Sequence, residues 1–194
     1  MEYRIVRAHD ISQMCLVCGQ HNHAGLHAQF LETDDEDGTL LARFRTRDLH
    51  QSYPGRVHGG IEAALLDELI GRTVNITEPT VWGVTMELRC KYRKPLPYPE
   101  TENNDRNSND NAGYTWARGR LTDNRSRVME GTGEILLPDG TVAVEAWARY
   151  RKLPLSRIIE SLESSDEHHV TNQHIVGAVI ADTRKYPKTV TIPD

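Results

Sequence analysis

Residues from Gly59 to about Val74, GGIEAALLDELIGRTV, contain no proline, are rich in helix formers and carry apolar residues at Ile61, Leu65 and Leu69, a spacing that predicts a helix. Apolar side chains occupy nearly every side of it. A helix of that kind is buried over most of its surface, and in a chain of 194 residues that means a sheet wrapped around it. This predicts one α+β domain, long enough to bury one core and too short for two.

Strand signals lie on both sides of the helix. Ala28–Glu32 and Leu40–Arg45 flank the acidic turn TDDEDG as a hairpin. Val84–Arg93, Tyr114–Leu121, Arg127–Leu137 and Thr141–Arg151 follow, the last two joined by the turn Pro138-Asp139-Gly140, and together they predict an antiparallel sheet. Between the first two of these, the polar run at about 100–113 cannot bury enough surface to offset its ordering entropy, so it reads as a mobile insertion in a hairpin. Residues 1–27 form a polar, irregular lead-in, 28–152 the domain, and 153–194 a short helix over SRIIESLES with a weakly ordered tail from about 164.

Charge and composition narrow the function classes. The net charge is −5, with 23 basic residues scattered among 28 acidic ones, so nucleic acid is not the expected partner. No apolar run approaches the ~20 residues that span a bilayer, and the first residues lack the apolar stretch of a signal peptide. Three cysteines, an odd number, fit a reducing compartment, and the cytosol is the expectation, without a membrane partner.

The chemistry concentrates in QSYPGRVHGG, residues 51–60, which runs straight into the helix. Gly59 and Gly60 at a helix start leave backbone N–H groups sterically open, where the helix dipole adds partial positive charge suited to a developing oxyanion. At ~100° per residue, Gly60, Ala63, Ala64, Asp67 and Gly71 share one narrow strip of small side chains. Asp67 sits in its middle, where desolvation would make it a better base or nucleophile; the alternative is an aspartate on a solvated helix edge. Glu68 is the second choice of carboxylate, and Glu62, in the first turn, reads as a dipole-stabilising charge.

These residues, in order, carry a resemblance. Cys18-Gly19, Asn22 and Gly25-Leu26, then Gln51, Tyr53-Pro54-Gly55, His58-Gly59-Gly60 and Leu66-Asp67-Glu68, then Thr85, Leu88 and Tyr92-Arg93-Lys94-Pro95, resemble the PaaI-like hot-dog acyl-CoA thioesterases from about Cys15 to Arg151. The resemblance implies a hot-dog fold, an antiparallel sheet wrapped around one long helix, with active sites at the interface of a homodimer or dimer of dimers. It implies Asp67 as general base or nucleophile, the Gly59 N–H polarising the thioester carbonyl, His58 beside it as a catalytic or carbonyl-orienting residue rather than a structural hydrogen-bond partner of the turn, and Thr85 placing substrate or water. Substrate contacts are expected at Gly60, at Gln51 or Ser52, and at Arg93 and Lys94 if they meet CoA phosphates. Ser52 stands where many relatives have glutamine or asparagine, and which of it and Gln51 faces the site stays open. The implied substrate is an acyl-CoA or acyl-carrier-protein thioester; a non-catalytic hot-dog protein holding an acyl-CoA or aromatic ligand is the alternative. Cys15 and Cys18, with His21, His23 and His27 nearby, could supply zinc ligands, but a second Cys-x-x-Cys is absent and neither metal nor cofactor is expected.

Overall fold

A computed structural model describes residues 1–97, 113–154, 156–157 and 179–193. Its strands are β1 (Glu2–Ala8), β2 (Ile11–Ser12), β3 (Gln29–Thr33), β4 (Leu40–Phe44), β5 (Val81–Tyr92), β6 (Thr115–Asn124), β7 (Val128–Leu136), β8 (Val142–Pro154), β9 (Val179–Ile180) and β10 (Thr189–Thr191), and the α-helix α1 is Gly59–Arg72. Eight strands form one sheet in the order β10-β1-β3-β4-β6-β7-β8-β5, every pairing antiparallel. Strands β2 and β9 form a separate two-stranded ribbon. Among the described residues no helix is long and apolar enough to cross a membrane.

The sheet buries one face of the helix, less than the most-of-surface burial its composition predicts. Leu65, Leu66, Leu69 and Ile70 are fully enclosed, together with Phe30, Leu40, Ala42, Phe44, Ala117, Ile135, Val144 and Ala148 from one face of the strands. Alternate residues along the same strands point the other way. Leu31, Leu41 and Leu136 therefore join Tyr3, Ile5, Val190 and Ile192 in a second, smaller cluster on the opposite face. Close approach of α1 depends on small residues in the central strands. A side chain at Gly133 would meet Ile70 Cγ1 at 2.9 Å, and one at Gly119 would meet Leu69 Cγ at 3.0 Å.

Three expectations change. The strand after the helix does not form a hairpin with its successor: β5 pairs with β8, while β6 pairs with β4 and β7. A tight turn holds consecutive strands side by side, whereas the long connection from β5 to β6 lets the chain cross the sheet. The insertion expected at about 100–113 lies outside the described residues except for Gly113, and of the helix expected after Pro154 only residues 156–157 are described. The stretch read as a weakly ordered tail includes β10, which pairs with β1 in the register Glu2↔Thr191, Tyr3↔Val190 and Arg4↔Thr189. Val190 and Ile192 bury their side chains against Tyr3 and Ile5, and Arg184 donates to the carbonyls of His27 and Ala28 at 2.5 and 3.0 Å. The lead-in likewise contains a sheet strand, β1, whose alternating Tyr3 and Ile5 are the inward pair.

The turn at Pro138-Asp139-Gly140 is present: Gly140 has φ 83° and donates to the Leu137 carbonyl at 2.9 Å, and Asp139 Oδ1 accepts from the Thr141 N–H. A methyl group at Gly131 would lie 2.7 Å from Ile70 Cγ2 and 2.8 Å from the Arg120 carbonyl oxygen, which is backbone and cannot move aside. Gly131→Ala is expected to cost ~1–3 kcal/mol, read as a lower urea midpoint with unchanged slope; a midpoint equal to the wild type would show that the sheet yields at that point.

Candidate functional site

The site is built from the inner side of β5 and the face of α1 beside it. At its centre is Asp67, half-buried in the small-residue strip. Thr85 Oγ1 donates to its carboxylate at 2.9 and 3.2 Å, and Tyr150 OH lies 3.1 Å from Oδ1 and 2.8 Å from the Asp67 carbonyl oxygen. Thr85 and Tyr150 are direct partners across β5 and β8, so one rung of the sheet aims both hydroxyls at the same carboxylate. Burial raises the Asp67 carboxyl above its ordinary value; the two hydroxyl contacts oppose that rise, and the neighbouring charge of Glu68 adds to it.

At the start of α1 the two glycines differ. His58 is the N-cap, and its Nδ1 accepts the Gly60 N–H at 2.9 Å, so that N–H is occupied. The Gly59 N–H has no partner among the described residues. It is the donor left open by the cap, at the positive end of the helix. The Gly59 carbonyl accepts from Tyr92 OH at 2.7 Å, which fixes the end of β5 against the helix start.

Other residues expected at the site are spread wider. Gln51 lies in the loop before α1, paired with Val57, and its side chain accepts from the Gly55 N–H at 3.3 Å; Ser52 is exposed beside it. Arg93 forms a 2.6 Å ion pair with Glu145, whose strand neighbour Ala146 points into the core, so this guanidinium is held on the face away from α1. The Lys94 side chain is exposed next to it. Glu68, the second-choice carboxylate, turns away from Asp67 and pairs with Arg72 at 2.7 Å. His21 and His23 are exposed, while His27 Nε2 lies 2.8 Å from the Asn22 carbonyl.

Tyr150 is absent from the sequence-based expectations, and Glu62 is more than the dipole-stabilising charge expected of it. Tyr150 is 1% exposed, and its hydroxyl is pushed well above the ordinary tyrosine range, first by burial and then by the Asp67 charge. Its signal was alternation: Ala146, Ala148 and Tyr150 share the inward side of β8, and a buried tyrosine needs a partner for its hydroxyl. Glu62 is 4% exposed, on the face it shares with Leu65, Leu66 and Leu69 at helical spacing. Burial alone pushes its carboxyl up to about 7. Its charge in turn helps raise Cys90 and Tyr92 on β5, each of which is raised first by burial.

Comparison with known proteins places this architecture. No family model matches the sequence, and no curated protein does. Many solved structures match. A thioesterase superfamily protein aligns over 73% of this chain and 61% of its own, with a TM-score of 0.59 and 24% identity. A thioesterase from Haemophilus influenzae aligns over 78% of this chain and 90% of its own, with a TM-score of 0.56 and 13% identity. The chain has the hot-dog fold. A phenylacetic acid degradation-related protein from Ralstonia eutropha shares this hot-dog architecture over 65% of the present chain and 85% of its own, with a TM-score of 0.53 and 24% identity. This chain thus spans less than two thirds of the first of the three and most of the other two.

Within the hot-dog sheet, Glu62 generates a test of its own. Its folded-state pKa of about 7 lies above the ordinary 4.5, so the folded protein binds the extra proton between those values. The stability this supplies is complete below 4.5 and is lost as pH rises through about 7, on the order of 3 kcal/mol in all. Glu62→Gln keeps the shape and removes the charge. Relative to the wild type, its unfolding temperature is expected to rise between about pH 5 and about pH 8; a difference constant across that window would show that Glu62 does not titrate there.

Proposed function

We propose that the protein hydrolyses an acyl thioester, of CoA or of a carrier protein, to a free acid and a thiol. The observation that carries this reading is the Asp67 carboxylate: desolvated on a strip of small residues, oriented by Thr85 and Tyr150, and sharing its helix with the unpaired Gly59 N–H. The thioesterases among the structural neighbours support the same choice. In this reading water attacks the carbonyl carbon while Asp67 takes its proton, or Asp67 attacks and the resulting anhydride is hydrolysed. The carbonyl oxygen, negative in the tetrahedral intermediate, rests on the Gly59 N–H. The C–S bond then breaks and the sulfur leaves as thiolate, to be protonated from solvent. Both routes need an ionised carboxylate, so activity falls on the acid side with a midpoint above the ordinary aspartate range.

Spacing on α1 adds a second copy to this reading. Gly59 and Asp67 are eight residues apart, ~12 Å along the helix axis, whereas a carbonyl must lie ~3 Å from both its donor and its attacking atom. One site therefore takes Gly59 from one protomer and Asp67 from its partner. Strand β5 supports that arrangement: it is a long edge strand that exposes Trp82, Val84, Met86 and Tyr92, and two-fold pairing would cover both its backbone edge and its apolar side chains. We infer a homodimer, or a dimer of dimers, built on this edge.

The first experiment follows free thiol from a panel of short, medium and aromatic acyl-CoAs and carrier-protein thioesters. Release with at least one is expected; measurable ligand binding with no release from any would favour the non-catalytic alternative. Asp67→Asn keeps the shape and removes the charge, and is expected to lower turnover by roughly a hundredfold or more. Glu68→Gln, which alters a carboxylate turned away from the site, is expected to stay within a few-fold of the wild type. The reverse order would move the reactive carboxylate by one residue.

Complementation tests the two-copy site. Proline is accepted at a first helical position after an extended residue, and His58 has ψ 129°, so Gly59→Pro removes the donor at the cost of a small shift of the Tyr92 ring, which a Cβ there would meet at 3.1 Å. Co-expressed Asp67→Asn and Gly59→Pro chains, each inactive alone, are expected to regain roughly a quarter of wild-type activity, because half of a random mixture pairs unlike chains and each such pair holds one complete site. No recovery in a dimeric mixture would place both groups in the same chain.

A further inference from the structure

A second cluster of reactive side chains lies behind α1, apart from the proposed thioester site. Among the described residues, only one group gathers three side chains able to ligate a metal: Cys15, Cys18 and Glu68, whose sulfur and carboxylate atoms all lie within 4.8 Å of one another. The cysteines belong to a tight turn. Cys15 N–H donates to the Ser12 carbonyl at 3.1 Å, and Gly19 N–H donates to the Cys15 carbonyl at 2.9 Å. Any side chain at Gly19 would lie 2.5 Å from the Cys15 nitrogen and the Gln13 oxygen, so glycine is required to close it. Closure brings the backbone N–H groups of Val17 and Cys18 to 3.3 and 3.5 Å from Cys15 Sγ, where they orient one sulfur while the turn places the other beside it. Outer hydrogen bonds of this kind fix the position of a metal-ligating atom.

Glu68 approaches from α1 and brings a balanced electrostatic setting. Arg72, one turn further along, donates Nε to Glu68 Oε1 at 2.7 Å, Nη2 to Cys18 Sγ at 3.4 Å and Nη1 to the Asp10 carbonyl at 2.7 Å. Two thiolates and a carboxylate bring three negative charges; a divalent cation and Arg72 bring three positive ones, leaving the partly buried cluster neutral. A tetrahedral zinc ion sits ~2.3 Å from sulfur and ~2.1 Å from oxygen, so donors already within 4.8 Å close on it with a small contraction. Soft thiolates select zinc over magnesium or calcium.

We propose that Cys15, Cys18 and Glu68 form a zinc site, with water as the fourth ligand and Arg72 as the neighbouring charge. The ion pins the turn after β2 to the far half of α1. The histidines near the Cys-x-x-Cys are not part of the set, and the helix supplies the third ligand in their place. Its ligands take no direct part in the proposed thioester chemistry.

The test uses the full chain, purified with a phosphine reductant and no chelator. After incubation with zinc and gel filtration, elemental analysis is expected to find about one zinc per chain, and cobalt in its place is expected to show the charge-transfer bands of a two-thiolate site. Cys15→Ser, Cys18→Ser and Glu68→Gln should each weaken zinc binding tenfold or more, whereas Asp67→Asn should bind as the wild type does. Two results would overturn the proposal: a folded, fully reduced wild-type chain that retains no zinc and gives no thiolate–cobalt bands, or zinc retained equally by the wild type and the Cys15→Ser, Cys18→Ser double variant, which would mark an adventitious ion only.

Discussion

The fold depends on how closely α1 lies against the sheet. Leu66, Leu69 and Ile70 fill the space directly over Gly119, Gly131 and Gly133, so the central strands are bare where the helix is bulky. That match lets the face of the helix that carries Leu65, Leu66, Leu69 and Ile70 exclude water, while Ile61, Ala63, Ala64 and Asp67 on the other side stay partly exposed. The same closeness removes solvent from any polar group on the helix. Asp67 and Glu62 are both raised for that reason, before any partner is considered.

A helix so enclosed has one side where the wall is only one strand deep, and there β5 forms the sheet edge. Thr85 reaches Asp67 from β5 itself, and Tyr150 reaches it from β8 behind. Burial and exposure thus meet at a single boundary: the Asp67 carboxyl is raised by burial, yet stays half-exposed near the rim. Glu145 and Arg93 occupy the opposite face of the same strands, where charges pair in water.

What the sequence made legible was periodic. The helix, the strip of small residues with Asp67 in it, and most strand positions follow from spacing within one segment. Glu62 was legible on the same grounds, since it shares the face of Leu65 and Leu66; its place in the first turn offered an electrostatic explanation that needed no burial. Facts that depend on which segments meet were not legible. The Thr85–Tyr150 rung requires β5 to pair with β8 across the whole length of β6 and β7, and nothing local specifies that. Cys15 and Cys18 find their third neighbour on α1, about fifty residues away, while the nearby histidines point elsewhere. The strand β10 is three residues long and carries a single buried side chain, Val190, too little to stand out in a polar stretch.

That last strand also bears on time. During synthesis β1 leaves the ribosome about 180 residues ahead of the segment that covers its outer edge, an interval of roughly 10–40 s. Throughout it, the backbone groups that will pair with β10 stay open on a nascent sheet, and Tyr3 and Ile5 lack the cover of Val190 and Ile192. Alternation in β1 keeps that hazard small, because Glu2 and Arg4 stand between the apolar residues and break any continuous sticky run. The edge is guarded by charge until the chain can close it with a strand.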